Sequence, residues 1–425
     1  MQFGHPLIIF LLLLQVVFPK TLMIAFDGFS NSYLDTFSYY LPTITALRSK
    51  SASIKNGLEN TKFSRVSSSA LWLMATGLNN TLSINADKNA IDRFQRATPI
   101  WSIAESRNIT TGCISWPGCD KSNPLPQYRI QNATSFPNSI DTAFHWLTNA
   151  RNPANIVFMY SNSILTKQTT KFKQFCQIGS ALRDVDNMIK YTLDESTKQS
   201  LNKKLNLIIT SNHGAEEVHP SRIIFLSDFI NINELDKIHL EDNTIYLWYE
   251  ATNPEKNLQL SKIQNINITI YNQQLFLPGG NLNPDVILEA NPGYLLLVNR
   301  SSNALHKRYI IDPNKKPLFI AYGPKFKNKF TLPTKIYPHR KIWIQDVFYL
   351  LQDLLNIPMN QHRSLKHIEC ILMDDPCEQE AFSYSVVIAG FAICIVVYVL
   401  TLYVIARLIT SIINLRKRVA RTTLV

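Results

Sequence analysis

Acidic side chains are in short supply. Asp and Glu number 31 against 43 Lys and Arg in 425 residues, a formal charge of +12. Between Asn152 and Arg183 there is no Asp, Glu or His at all, so that stretch offers neither carboxylate nor imidazole to a metal or a proton. Internal repeats and low-complexity tracts are absent too, which excludes solenoid and disordered architectures. The five cations near the C-terminus, Arg407, Arg416, Lys417, Arg418 and Arg421, have no acidic counterparts, and removing them from the formal +12 leaves +7 over the rest of the chain. So thin an excess argues against a nucleic acid polymer as partner and allows weak attraction for anionic ligands or glycans.

What is present points to a large extracytoplasmic protein. At 46% hydrophobic, the chain is long enough to bury a sizeable core as one large or two modest domains. The run "LIIFLLLLQVVF" at 7–18 reads as the apolar part of a signal peptide covering 1–20. A second run, "YSVVIAGFAICIVVYVLTLYVIA" at 384–406, is uncharged for 23 residues and as a helix spans roughly 34 Å, enough for a bilayer core. Basic residues follow it, which orients it as a single-pass, type I helix with a cytosolic tail at 407–425. Sequons at Asn79, Asn108, Asn132, Asn267 and Asn299 fit a glycosylated ectodomain in the secretory pathway or at the plasma membrane. In that oxidising compartment the close pairs Cys113/Cys119 and Cys370/Cys377 are expected to be bridged, with Cys176 a lone buried thiol and Cys394 inside the membrane helix.

Strand-like runs ("TLMIAFDG", "TTGCISW", "ANIVFMY", "LNLIITSNHG") alternate with helical patterns ("LPTITALRS", "SSALWLMATG", "SIDTAFHWLTNA", "QIGSALRDVDNMIKYTLDES"). Alternation of this kind predicts an α/β domain over 21–356 with a mainly parallel sheet, helices on both faces, and ligands beyond the strand C-terminal ends. Short β-prone runs from about 225 to 305 read as a small inserted subdomain, "PLFIAYGP" returns to the main sheet, and a Cys-bounded stalk at 357–383 leads to the membrane. Asp141 and His145 have the i, i+4 spacing of a metal pair but precede the strand, and read as a surface helix pair.

Together, "FDGFSNSYL", "MATGL", "TPIWSIAESRNITTGCISWPGCD", "LIITSNHGAEEV", "FIAYGPKF" and "LQDLLNIPMNQ" resemble, in order and spacing, the nucleotide pyrophosphatase/phosphodiesterase family of the alkaline phosphatase superfamily. The likeness covers nearly the whole ectodomain except 225–300, and "HIECILMDDPC" before a membrane helix resembles its type I branch. The resemblance implies an alkaline-phosphatase-like fold and two zinc ions bridging a phosphate, with a threonine nucleophile beside the second metal. Carried onto this chain, the first aspartate is Asp27, the nucleophile falls on Ser67, the base-stacking phenylalanine on Ser68, and a phosphate-contacting asparagine on Lys88. The later Asp-His pair becomes Asn212-His213, the acidic motif after "NIVFMY" places Ser163 and Lys167 on an aspartate and a histidine, and the last histidine falls on His306.

These substitutions lower the charge available to hold zinc. One aspartate of three remains, and an amide oxygen is a poor replacement for a carboxylate against zinc hydration. The expectation is no cofactor, or at most one weakly bound zinc on Asp27, Asn212 and His213 with Ser67 beside it. A cation, Lys167, is expected to neutralise Asp27 in place of the metal. The chain is thus expected to be a catalytically dead or weakened phosphodiesterase-like protein that binds an anionic, phosphate-containing ligand or an extracellular protein. The alternative is a zinc-dependent phosphodiesterase acting on nucleotide or phospholipid esters through Ser67.

Overall fold

Every residue of "TLMIAF" is buried, and alternate side chains of this strand enter different cores, as a strand covered on both faces requires. Met23 and Ala25 join Trp72, Trp101, Phe158 and Phe348 on one side. Leu22, Ile24 and Phe26 join Ile44, Phe144, Leu182 and Ile320 on the other. The computed structural model in which this is seen describes residues 19–60, 67–78, 97–133, 135–162, 176–241, 243–249, 261, 263, 266–272, 284–300, 309–311, 315–332, 341–358, 368–373 and 378–422.

The strand Lys20–Phe26 lies inside an eight-stranded sheet. In spatial order the strands are Phe330–Leu332, Ala52–Ile54, Phe319–Tyr322, Leu205–Ser211, Lys20–Phe26, Ile156–Ser161, Thr111–Ile114 and Tyr128–Ile130. Neighbours run parallel except at Phe319–Tyr322, which is antiparallel to both of its partners. Helices Ser67–Thr76, Ile100–Glu105 and Asp346–Leu354 contribute to the first core, and Pro42–Arg48, Phe136–Leu147 and Cys176–Lys198 to the second. Each buried aliphatic or aromatic side chain in these clusters contributes about 1.5–3 kcal/mol. The helices are tied together by polar caps as well. Buried Asp186 accepts from the backbone N–H groups of Thr43 (3.1 Å) and Ile44 (2.8 Å), filling the donor positions that open the helix Pro42–Arg48. The α/β sheet covered by helices is therefore as the alternation of patterns implied.

The expected insertion is a separate antiparallel sheet, in the order Ile268–Asn272, Val286–Ala290, Thr244–Tyr249 and Leu235–Glu241. It has its own core of Leu226, Ile245, Leu247, Leu288 and Leu296. Cys113 and Cys119 are disulfide-bonded. Cys377, the side chain of Cys176, the signal-peptide run and Asn79 lie outside the described residues. Asn108, Asn132, Asn267 and Asn299 are exposed.

The chain divides into two units, Met1–Met373 and Asp374–Val425. The second holds a continuous helix, Glu378–Thr422, which takes in the end of the expected stalk and most of the expected tail. Its stretch long and apolar enough to cross a membrane is Gly390–Asn414. Among the described residues that stretch runs on past Ala406 and includes Arg407, because Leu408, Ile409, Ile412 and Ile413 continue the apolar run beyond the charge. Cys394 lies in this stretch and is exposed.

Asp346 opens its helix from within the first core, 3% exposed. One carboxylate oxygen accepts the Trp343 N–H at 2.7 Å and the other has no hydrogen-bond partner among the described residues. Burial pushes its pKa up to about 6, only partly offset by that hydrogen bond. Between the unfolded carboxylate value near 4 and about pH 6 the native state holds the extra proton, so stability falls as pH rises through this window, by about 3 kcal/mol for a shift of roughly two units. Urea midpoints measured from pH 4 to pH 7 are expected to show this loss in the native protein and not in Asp346→Asn. Parallel slopes for the two proteins would refute it.

Candidate functional site

Strand register decides which side chains meet. Phe26 pairs with Ser161 on one side and Ser211 on the other, so the residues that follow these three strands emerge together at the C-terminal edge of the sheet. Asp27 leaves the first strand with its N–H bonded to the Ser161 carbonyl at 2.9 Å. Gly28 then turns the chain with φ +73°, in the region that glycine enters without Cβ strain. Asn212 and His213 follow the strand Leu205–Ser211, both fully buried. Gly214 next to them is required by space: a Cβ there would lie 2.1 Å from the Lys315 carbonyl oxygen. Beneath the site, Ser211 donates its hydroxyl to the Phe29 carbonyl (2.6 Å) and accepts the Leu318 N–H (2.8 Å), which pins the turn to the neighbouring strand.

Asp27 is 6% exposed and is the centre of a polar cluster. One of its oxygens, Oδ1, accepts the Asn212 amide N–H at 2.6 Å and lies 3.1 Å from His213 Nε2, while Oδ2 accepts the Tyr160 hydroxyl at 2.7 Å. Burial alone would raise the Asp27 pKa, but His213, then Asn212 and Tyr160, outweigh it and hold the carboxyl below its ordinary value. The other ring nitrogen of His213 is 3.1 Å from the Gly214 carbonyl.

The orientation of Asn212 determines what this cluster can hold. Its Oδ1 accepts two backbone N–H groups, from Gly28 at 3.1 Å and from His213 at 2.9 Å. An amide nitrogen has no lone pair for such donors, so the oxygen is fixed there and the NH₂ group is turned toward Asp27. A carboxylate at this position would accept the same two N–H groups with one oxygen and leave the other for a cation. The amide presents a donor in its place. Asp27 Oδ1 and His213 Nε2 are spaced much as two ligands of one tetrahedral zinc would be, about 3.3 Å for bonds near 2.0 Å. Two such donors still fall short of the three protein ligands a catalytic zinc takes. Among the described residues no group of three His, Cys, Asp or Glu stands close enough to share a metal. The described donor set therefore does not fit a pair of zinc ions.

The structure brings together three of the residues singled out in the sequence: Asp27, Asn212 and His213. Ser67 is the first residue of the helix Ser67–Thr76, with its side chain outside the described set. Lys88, Ser163, Lys167 and His306 also lie outside it. The described partners of Asp27 are His213, Asn212 and Tyr160. Tyr160 was not foreseen; it sits opposite Ala25 in register, and only the strand order places its hydroxyl against Asp27. Asp141 and His145 are exposed on the helix Phe136–Leu147, and Asp141 accepts the Tyr191 hydroxyl at 2.7 Å, as a surface pair would.

Comparison with known proteins bears on the same site. The sequence profile of the family described as "Type I phosphodiesterase / nucleotide pyrophosphatase" matches residues 21–311. The human protein named bis(5'-adenosyl)-triphosphatase ENPP4 is 24% identical over 408 residues, covering 88% of this chain and 86% of that one. The human ectonucleotide pyrophosphatase/phosphodiesterase family member 5 is 25% identical over 282 residues, 63% of this chain and 57% of its own. Among solved structures, murine ectonucleotide pyrophosphatase/phosphodiesterase 5 superposes with a TM-score of 0.69 at 22% identity, over 83% of this chain and 100% of that one. An inactive threonine-to-alanine variant of the murine protein in complex with AMP has the same TM-score and identity, over 83% and 99%.

Replacing Asp27 by Asn leaves a buried imidazole and two donors facing an amide. The expected cost at pH 7 is about 3–5 kcal/mol, the range for breaking a buried charged pair. Because the Asp27 pKa is lowered in the fold, its contribution is fully present above the unfolded carboxylate value and fades as pH falls below about 4. Denaturant titrations of the native protein and Asp27→Asn at pH 7 and pH 3 measure both; a difference unchanged by pH would contradict the assignment.

Proposed function

We propose, given that this chain belongs to the type I phosphodiesterase / nucleotide pyrophosphatase family, that it is a membrane-anchored member acting by binding, catalytically inactive or severely weakened. The observation that carries this reading is the Asn212 amide, held by Gly28 and His213 so that it gives Asp27 a donor where zinc would need an anion. The sequence supports it further, since 152–183 contains no Asp, Glu or His to supply the ligands of the first metal. In a two-metal centre one ion activates the nucleophile and both hold the transferring phosphoryl group, so loss of either ion removes most of the rate.

The anchor in this reading lies in the apolar helix stretch Gly390–Asn414, ahead of Arg407, with the sequons on the extracellular side and the basic residues on the cytosolic side. The ligand is a phosphate-bearing small molecule of the kind the murine relative holds as AMP, for which Lys88 and Lys167 are the cations the sequence offers, or an extracellular protein. At most one zinc is held, and weakly.

Elemental analysis of the purified protein, with turnover of bis-(nitrophenyl) phosphate measured alongside, tests this reading. The native protein is expected to carry less than one zinc per chain and to show no zinc-dependent turnover. Asn212→Asp, which restores a carboxylate oxygen beside Asp27 and His213, is expected to tighten zinc binding by about tenfold or more. Two stoichiometric zinc ions in the native protein, with turnover abolished by Ser67→Ala, would establish the opposite reading: a zinc phosphodiesterase using Ser67 as nucleophile.

A further inference from the structure

The helix Glu378–Thr422 is 45 residues long, roughly 68 Å at 1.5 Å per residue, more than twice a bilayer's hydrocarbon core of about 30 Å. Tyr384 and Tyr403 are both in this helix, and their separation is roughly 28 Å, the distance between the two interfacial belts where tyrosine collects. This register puts Glu378 and Glu380 outside one face of the membrane and makes Arg407 the first charge beyond the other. Arg407 Nε donates to the Tyr403 hydroxyl at 3.0 Å, so the charge is tied to the belt residue one turn earlier. Fifteen helical residues, 408–422, then lie past the membrane core.

Those fifteen residues do not have the composition of a solvated helix. At 100° per residue, Leu408, Ile409, Ile412, Ile413, Leu415 and Val419 fall within an arc of about 160°. Leu408, Ile409, Ile412 and Ile413 are 58%, 52%, 56% and 47% exposed. The opposite arc takes Arg407, Thr410, Ser411, Asn414, Lys417, Arg418 and Arg421, and Arg416 alone interrupts the apolar side. No acidic side chain follows Glu380, so these cations have no acidic neighbour on their own side of the span. A helix of this length is marginal in water without a surface for its apolar side. At the junction, the Thr410 hydroxyl donates to the Ala406 carbonyl at 2.6 Å, a back-bond to the preceding turn that favours bending.

We propose that residues 407–422 form a second membrane contact: an interfacial helix that bends at Ala406–Thr410, lays its apolar arc on the bilayer, and binds the acidic headgroups of anionic phospholipid through Arg407, Lys417, Arg418 and Arg421. The partner's chemistry is set by complementarity, since uncompensated cations directly adjoining a spanning helix meet the negative surface of the leaflet within one Debye length. This rests on the membrane-anchor reading above and adds to it a dependence on lipid charge, which the span itself does not have.

The test is hydrogen–deuterium exchange on the full-length protein in nanodiscs, of neutral phosphatidylcholine alone or with about a third phosphatidylserine. Amides of 390–406 are expected to be protected in both discs, which reports the span. Amides of 408–422 are expected to exchange roughly tenfold or more slowly in the anionic disc, at about fivefold per engaged cation. That slowing is expected to disappear at high salt and in the Lys417→Gln/Arg418→Gln/Arg421→Gln variant. Equal exchange of 408–422 in the two discs overturns the proposal while leaving the anchor intact. Protection that follows the number of chains per disc rather than lipid charge assigns the face to a second copy of the helix and also overturns it. Rapid exchange of 390–406 in both discs removes the anchor and the proposal together.

Discussion

Two backbone N–H groups, those of Gly28 and His213, hold the carbonyl oxygen of Asn212, and that constraint sets the chemistry of the strand-end cluster. With the oxygen fixed, the amide nitrogen faces Asp27, and the carboxylate is satisfied by neighbours of its own chain: Asn212 and His213 on one oxygen and Tyr160 on the other. A buried carboxylate left alone would be costly. Here hydrogen bonds stabilise it, and the lowered Asp27 pKa is their electrostatic expression.

The sheet makes this cluster possible. The pairing of Phe26 with both Ser161 and Ser211 delivers three strand ends to one edge, and close backbone approach at Gly214 keeps His213 packed against the turn. The fold of the phosphodiesterase family is thus retained, with an amide at position 212 at this strand end. Fold and activity are separable for this reason: the sheet depends on burial of its two faces, whereas the chemistry depends on a few groups beyond the strand ends. The membrane-proximal helix follows a different logic. It stands in a separate unit, and its stretch Gly390–Asn414 is exposed and is long and apolar enough to cross a membrane.

Much of the fold was legible in the residues. The alternation of "TLMIAF", "TGCI", "IVFMYS" and "LNLIITS" with amphipathic helices signalled a parallel sheet, because strands covered on both faces must be apolar throughout. The antiparallel return of Phe319–Tyr322 was not legible, since a four-residue apolar run carries no sign of its direction. Asp27, Asn212 and His213 were found from their motifs. Tyr160 was missed because tyrosine is common at strand ends and its role depends on which strand lies next door. The length of the C-terminal helix was also missed: charge suggested an end at Ala406, yet the apolar residues after Arg407 keep helical spacing, and the helix continues to Thr422.

By itself the sequence determined that the segment 152–183 carries no anion and that position 212 is an amide. The absence of Asp, Glu and His from 152–183 and the amide at position 212 are matters of composition, and no packing can alter them. Only the tertiary structure decided which way the Asn212 amide points and that the Tyr160 hydroxyl reaches Asp27. Those outcomes depend on hydrogen bonds between residues as far apart as 133 and 185 positions, and distance in the chain says nothing about adjacency until the strand order is known.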